Sequence, residues 1–174
     1  MRVLVVYDTV EGQTGKVVEF VQKLAREAGA EVFARRTSDA PLPVSFAGVD
    51  KVILAAPVHE RRHPKAFEAF ITENLPQLAA RKTLMLSISL KAAFPDTQED
   101  AEDFLVEMKM RTGLKPTAEA LVAGAVRGKS YDYYSQMVVD QVLMSGRDIE
   151  LENGEREFTD WDALRDTVTG FLKG

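Results

Sequence analysis

The chain has 174 residues, of which 45% are hydrophobic, so it is long enough for one domain with a full core and too apolar to remain disordered. It contains no cysteine, which excludes disulfides, cysteine-ligated clusters and thiol catalysis, and its two histidines, His59 and His63, are too few for a multi-histidine metal site. The net charge of −5 argues against nucleic-acid binding and gives no reason to expect attraction to anionic lipid.

The first residues combine a strand, a polar loop and the start of a helix. An apolar run within residues 2–7 is typical of a strand buried on both faces of a parallel sheet. Apolar residues then recur at helical spacing over residues 13–28, so the loop between them ends at a helix N-terminus, where the helix dipole favours an anion. Thr9 and Thr14 add hydroxyl donors, and Gly12 permits a close backbone approach. We interpret residues 9–14 as a phosphate cradle, with an ordinary turn and a capped helix as the alternative.

The spacing in this loop excludes two other nucleotide-binding motifs. Asp8 and Val10 stand where the dinucleotide fingerprint needs early glycines, and Val10 and Val17 stand where a P-loop needs glycine and a hydroxyl residue. The pattern that remains, Thr-x-x-Gly-x-Thr, resembles the phosphate loop with which flavodoxins bind flavin mononucleotide (FMN).

Strand and helix patterns alternate along the rest of the chain, which predicts an α/β doubly wound parallel sheet. The predicted strands are residues 2–7, 31–36, 51–56, 83–89 and 121–126. The predicted helices are residues 13–28, 64–74 and 96–111, and a last helix that begins with the capping box Thr159-Asp160-Trp161-Asp162.

An extra segment, about residues 127–158, separates the fifth strand from the last helix. Residues 131–144 have a helical pattern that is apolar over much of its circumference, and Asn153-Gly154 is a hairpin signal. Two interpretations stay open: a lid helix packed on the domain, or a surface for a hydrophobic substrate, a quinone or a partner chain, including a second copy in a homo-oligomer.

Taken together, the motifs resemble one branch of the flavodoxin superfamily, the menaquinone-dependent protoporphyrinogen dehydrogenases of bacterial haem synthesis. The resemblance covers nearly the whole chain. It implies a single flavodoxin-like domain over residues 1–174, a five-stranded parallel sheet of order 2-1-3-4-5, and a helical insert after strand five. The residues that carry it are 9–14, Ala66 and Phe67, 87–90, 123–127, the insert 131–146 with its final Met-Ser-Gly, and 158–161.

By position, the resemblance implies FMN as the cofactor and assigns its binding residues. The flavin would supply the redox chemistry at N5, so no side chain is needed as a nucleophile. The residues predicted to surround the phosphate are Thr9, Val10, Glu11, Gly12, Gln13 and Thr14. Those predicted to flank the ring lie in the loops 57–63 and 89–94, and include Pro57, Val58, His59, Ser89, Leu90 and Lys91.

The loop after the third strand departs from the family pattern, because it carries charges where family members have aromatic and glycine residues. His59, Arg61 and Arg62 would either stabilise the anionic reduced flavin or grip substrate carboxylates such as porphyrin propionates. The third interpretation is a solvated charged loop. The insert is also less basic than in the family, which weakens the case for stable membrane attachment.

The leading hypothesis is an FMN-dependent dehydrogenase that acts on protoporphyrinogen IX or another large apolar substrate and passes electrons to a quinone. The alternatives are a flavodoxin-type electron-transfer protein that docks on a reductase, and a flavodoxin-like domain that no longer holds flavin. No apolar stretch is long enough for a transmembrane helix, and the N-terminal residues lack the pattern of a secretory signal. The predicted location is therefore cytoplasmic, with peripheral contact at the inner membrane as the alternative.

Overall fold

A computed structural model describes residues 1–10, 12–39, 43–127, 147 and 149–174. Five strands form one parallel sheet in the order β2-β1-β3-β4-β5, which confirms the strand order that the sequence resemblance implied. The strands are β1 (Arg2–Tyr7), β2 (Glu31–Arg36), β3 (Lys51–Pro57), β4 (Lys82–Ser89) and β5 (Ala118–Ala123), followed by a separate antiparallel pair, β6 (Ala125–Arg127) and β7 (Glu155–Glu157).

Helices cover both faces of the sheet. They are α1 (Gln13–Glu27), α2 (Lys65–Glu73), α3 (Leu75–Ala79), α4 (Gln98–Thr112) and α5 (Trp161–Lys173), with short 3₁₀ turns at Lys91–Ala93 and Pro95–Thr97. The predicted helix over residues 64–74 is thus followed by a second one, α3, that sequence patterning missed. Pro76 lies in its first turn, where the missing N–H costs nothing.

The core is divided by the sheet into two layers. Successive residues of β1 point to opposite faces, so Val3 packs in the cluster beneath α1 and α5, whereas Leu4 packs in the cluster beneath α2 and α4. Because both faces are covered, the central strands are apolar without alternation, as the sequence predicted for residues 2–7.

The predicted bounds of the fifth strand were wrong. Residues 121–126 were expected to form it, but β5 begins at Ala118 and ends at Ala123. Gly124 makes a last bond to β4, from its N–H to the Ser89 carbonyl at 3.0 Å, and residues 125–127 pair with β7 instead. The early start was missed because Ala118-Glu119-Ala120 lacks the β-branched and aromatic residues that mark a strand.

The sequence signals around the last helix are partly confirmed. Asn153 and Gly154 both have positive φ, and Glu152 and Glu155 exchange two backbone hydrogen bonds of 3.0 Å across them, as in a tight hairpin turn. The N-cap of α5 is Asp160, whose Oδ1 accepts from the Ala163 N–H at 2.9 Å. The helix predicted over residues 131–144 lies outside the described residues.

None of the helices that the structure describes is long and apolar enough to cross a membrane.

Candidate functional site

Three loops meet at the carboxyl edge of the parallel sheet: residues 8–14 after β1, 57–63 after β3 and 89–94 after β4. Backbone hydrogen bonds join the start of a loop to the end of the neighbouring strand in two places. The Asp8 N–H donates to the Ala55 carbonyl at 3.2 Å, and the Val58 N–H donates to the Ile88 carbonyl at 2.8 Å. The predicted phosphate and ring loops therefore lie side by side at the edge where doubly wound sheets bind ligands.

The loop after β1 has the geometry of an anion cradle. Gly12 has φ of 91°, a left-handed conformation that favours glycine, and its N–H donates to the Thr9 hydroxyl at 3.2 Å. The first turn of α1 carries Lys16 and no carboxylate of its own, and the N–H groups that a helix leaves without internal partners favour an anion there. Lys16 Nζ lies 3.6 Å from the Glu157 carboxylate, which balances part of its charge. Thr14 is buried in the same turn. Of the other predicted phosphate residues, Val10 is exposed and Glu11 lies outside the described residues.

Asp8 fixes the position of this loop, although sequence reasoning used it only to exclude a motif. The carboxylate is 4% exposed and accepts hydrogen bonds from the hydroxyls of Thr37 and Ser38, each at 2.9 Å. Arg36 lies 3.4 Å from the same carboxylate and also donates to the Thr9 carbonyl at 3.0 Å. The signal in the sequence was an acid directly after a buried strand, but its partners come from the end of β2 and from the loop that follows it, and they have no sequence motif.

Gln13 is a predicted phosphate residue whose side chain points elsewhere. Its amide forms hydrogen bonds with Arg127, Glu157 and Thr159, which are all more than 100 residues away in sequence. If Gln13 contacts a phosphate, it does so through its backbone N–H. Sequence reasoning could not distinguish these two uses of the residue.

The loop after β3 is a tight turn without glycine. His59 and Arg62 exchange backbone hydrogen bonds of 2.9 and 3.0 Å, while Glu60 and Arg61 between them have φ of 49° and 64°. Left-handed conformations cost non-glycine residues about 1–3 kcal/mol each, so contacts around the turn must hold it in place.

One such contact is an ion pair between Arg62, whose side chain is 48% exposed, and a buried carboxylate. Glu68 on α2 is 6% exposed, and its carboxylate accepts from Arg62 Nη2 at 3.0 Å and from Arg111 Nη2 at 2.7 Å. Burial on its own would raise the pKa of the Glu68 carboxyl, but the hydrogen bonds from Arg111 and Arg62 outweigh it and lower that pKa. Arg62 therefore anchors the loop to α2 and α4.

Arg61 occupies a different environment at the exposed edge of the site. Its guanidinium lies 5.3 Å from the centre of the Phe104 ring on α4, and Lys91 approaches the same ring at 5.9 Å. Lys91 also hydrogen-bonds Asp100, which lowers the pKa of that carboxyl. Two of the predicted site residues, one from each ring loop, thus place cations on one aromatic ring.

His63 holds the other end of the turn. It is 1% exposed, its Nε2 lies 2.9 Å from the Ser87 hydroxyl on β4, and its ring stacks near Phe67. Burial disfavours the charged form and lowers the pKa of His63 to about 4; the nearby Glu68 opposes this shift and Arg111 adds to it. His63 is therefore neutral at neutral pH and serves as an uncharged buried link between the loop and β4.

Two aromatic residues that are distant in sequence pack together beside the loop after β4. Phe94 and Phe158 pack edge to face with ring centres 5.3 Å apart, which brings the loop after β4 against the residues before α5. Arg147 covers Phe94 at 4.2 Å and hydrogen-bonds Asp96, and Arg156 covers Phe158 at 5.3 Å. The sequence showed no aromatic in the loop after β3, but it could not show that two distant phenylalanines meet beside the loop after β4.

A cleft of about 820 Å³ lies beside the β6–β7 pair, on the α1 side of the cradle rather than between the two ring loops. Its walls carry both signs of charge. The residues that line it are Lys16, Ala125, Val126, Arg127, Glu150, Leu151, Glu152, Asn153, Glu155, Arg156 and Glu157.

Comparison with known proteins gives consistent results. The family model described as a flavodoxin domain matches residues 4–150. A curated relative, the protoporphyrinogen IX dehydrogenase (quinone) of Escherichia coli strain K12, is 24% identical over 170 residues, which cover 94% of this chain and 91% of the relative.

Solved structures of flavodoxins also align with the chain. A short-chain flavodoxin associated with a PDU bacterial microcompartment aligns with a TM-score of 0.60 at 13% identity, over 99% of this chain and 97% of that one. A flavodoxin from Streptococcus pneumoniae TIGR4 aligns with a TM-score of 0.54 at 12% identity, over 99% and 96% of the two chains. At these identities the alignments show a shared fold.

Proposed function

Because the chain belongs to the flavodoxin domain family, we propose that it binds FMN and acts as a dehydrogenase of the protoporphyrinogen IX (quinone) type. The observation that carries the cofactor proposal is the cradle: Gly12 in a left-handed conformation directly before α1, whose own first turn contains no acidic residue, on the carboxyl edge of the sheet. The observation that favours the enzyme is a relative of that activity which this chain matches over nearly the full length of both.

The described residues fit the phosphate of FMN. In this proposal the backbone of residues 12–14 and the hydroxyls of Thr9 and Thr14 hold the phosphate, and Lys16 adds a positive charge one turn along the helix. Asp8 is a buried carboxylate at the start of the same loop, and Arg36, Thr37 and Ser38 engage it.

The ring would lie between residues 57–59 and 89–91. Bound FMN supplies the acceptor for a hydride or electrons, and the protein sets the charge and water content around it. In this proposal Arg61 and Lys91 on Phe104 would bring positive charge to the ring, with part of the Lys91 charge balanced by Asp100. The Phe94–Phe158 pair would shield the adjoining edge from water. A porphyrinogen or another large apolar substrate would use such an apolar wall, and its carboxylates would be drawn to the cations.

A second candidate is a flavodoxin-type electron carrier, which one feature of α4 favours. The exposed side of this helix carries Val106 and Met110, which are 46% and 80% exposed, among acidic residues. An apolar patch within negative charge suits docking on a basic redox partner such as a reductase. The acids are Glu99, Glu102, Asp103 and Glu107.

An activity assay separates these two functions. Purified protein saturated with FMN is mixed with protoporphyrinogen and a soluble quinone, and protoporphyrin fluorescence is followed over time. The dehydrogenase proposal predicts fluorescence that rises with enzyme concentration above the rate of air oxidation. A protein that holds FMN but leaves this rate unchanged would be an electron carrier, and a protein that cannot be loaded with FMN would contradict both functions.

A further inference from the structure

Gln13 joins the phosphate loop to the β6–β7 pair. The side chain is 6% exposed; its Nε2 donates to Glu157 Oε2 at 3.0 Å and to the Thr159 hydroxyl at 2.9 Å, and its Oε1 accepts from Arg127 Nη2 at 2.7 Å. Only this orientation of the amide fits, because a carboxylate can only accept and a guanidinium can only donate. Three residues more than 100 positions away in sequence therefore converge on one amide.

Glu157 is the second centre of the same network. Its other oxygen accepts from Trp161 Nε1 at 2.7 Å, and Lys16 Nζ lies 3.6 Å from Oε2. Burial would raise the pKa of the Glu157 carboxyl, but the hydrogen bonds from Trp161 and Gln13 and the charge of Lys16 together lower it. The carboxylate is thus kept ionised where Gln13 and α1 can hold it.

The β6–β7 pair needs such anchors. It contains three residues on each strand, and an isolated two-stranded pair is marginal in water. The two residues after β7 are hydrogen-bonded to the end of β5 and the residue that follows it. The Phe158 N–H donates to the Gly124 carbonyl at 3.0 Å, and the Thr159 hydroxyl donates to the Ala123 carbonyl at 2.7 Å. Gln13 provides the corresponding tie to the phosphate loop.

We propose that Gln13 is a positioning residue that couples occupation of the phosphate loop to the order of the β6–β7 pair; this inference rests on the proposed binding of FMN. Gln13 is the first residue of α1 and directly follows Gly12. A phosphate held by the backbone of this turn fixes the point from which the side chain reaches Glu157 and Arg127. Since coupling between two sites is reciprocal, an ordered β6–β7 pair also favours the bound phosphate.

Hydrogen–deuterium exchange tests the proposal. Exchange is measured at residues 125–127 and 155–158 in the wild type and in Gln13→Ala, each alone, with saturating FMN and with saturating riboflavin, which lacks the phosphate. We expect FMN to slow exchange about tenfold in the wild type, riboflavin to have little effect, and Gln13→Ala to lose the FMN effect. Gln22→Ala is the matched control, because it removes an amide from the same helix that contacts Arg26 and not β7.

A second variant distinguishes loss of the coupling from damage to the phosphate loop itself. Glu157→Ala breaks the link from the β7 side while the phosphate loop keeps its sequence, and it should also abolish the FMN effect. Protection that persists in both variants, that riboflavin reproduces, or that is missing in wild type with FMN bound would overturn the coupling and leave the proposed cofactor intact. If FMN does not bind wild type, the proposed function fails and the coupling fails with it.

Discussion

The two loops predicted to hold the flavin obtain their shapes in different ways. The loop after β1 depends on the backbone of one glycine, Gly12, and on its place at the start of a helix. The loop after β3 puts two non-glycine residues in left-handed conformations and is held by buried side chains, Glu68 and His63. The first kind of loop has a local sequence motif, whereas the second depends on partners that are distant in the chain.

The largest expected effect comes from removing the buried acid that holds the second loop. Glu68→Ala removes the carboxylate shared by Arg62 and Arg111, whose side chains are 48% and 31% exposed, and should lower the free energy of unfolding by about 2–3 kcal/mol. Urea denaturation measures it. The control is Glu107→Ala, which removes a half-exposed partner of Arg111 at 3.6 Å and should cost less than about 0.5 kcal/mol. Equal effects of the two variants would show that the loop does not depend on the buried pair.

The first loop is tested by affinity rather than by stability. Thr14→Ala should weaken FMN binding by about 1.5–3 kcal/mol, because it removes a hydroxyl donor to a charged phosphate. Thr14→Ser keeps the hydroxyl and should retain most of the affinity. Quenching of flavin fluorescence on titration of the apoprotein gives both values, and a loss shared equally by the two variants would assign the effect to packing of the buried methyl group.

His63 makes stability depend on pH. Its folded pKa of about 4 lies below the value of 6.5 for an unperturbed histidine, so the unfolded chain takes up the proton first as the pH falls. The stability that the neutral ring provides is complete above pH 6.5 and is lost as the pH falls towards 4. Between pH 7 and pH 5 we expect the free energy of unfolding to fall by about 2 kcal/mol.

His63→Gln removes the titrating group and should flatten this dependence. Urea denaturation at pH 7, 6 and 5 provides the comparison, in a range where most carboxylates remain ionised. A wild type and variant with parallel pH profiles would mean that His63 is not the group responsible.

The smallest effects separate the two neighbouring arginines. Arg61→Ala should raise the KM for a carboxylate substrate a few-fold, in line with about 0.2–1 kcal/mol for an exposed charge pair. It should lower the free energy of unfolding by no more than about 0.5–1 kcal/mol, the contribution of an exposed cation on an aromatic ring. Arg62→Ala should lower the free energy of unfolding and leave the KM nearly unchanged, because the Arg62 side chain is hydrogen-bonded to Glu68. Steady-state kinetics and urea denaturation of both variants suffice, with Arg61→Lys as the charge-preserving control. A stability loss in Arg61→Ala with an unchanged KM would exchange the two roles.

The contrast between local motifs and distant partners also explains which features could be predicted from the sequence. The central strands and the cradle motif follow from apolar runs and from Gly12, which are local signals, whereas the strand order came from the resemblance to flavodoxins. The start of β5 was missed because its first residues are poor strand formers, and it is fixed instead by mutual bonds between Thr83 and Thr117, in which each backbone N–H donates to the other hydroxyl. The roles of Gln13 and Arg62 were missed because their side-chain partners are set by tertiary packing.

The central claim, that the loop after β1 holds FMN by its phosphate, is tested most directly by a pair of glycine variants. Gly12 and Gly29 have φ of 91° and 77°, and an added Cβ would meet nothing within 4 Å at either position, so Ala brings similar backbone strain to both. Relief of that strain, about 1–2 kcal/mol, would displace the cradle only in Gly12→Ala. We predict that Gly12→Ala binds FMN about tenfold more weakly than wild type while Gly29→Ala binds it normally. Unchanged affinity in Gly12→Ala would contradict the assignment of the phosphate site.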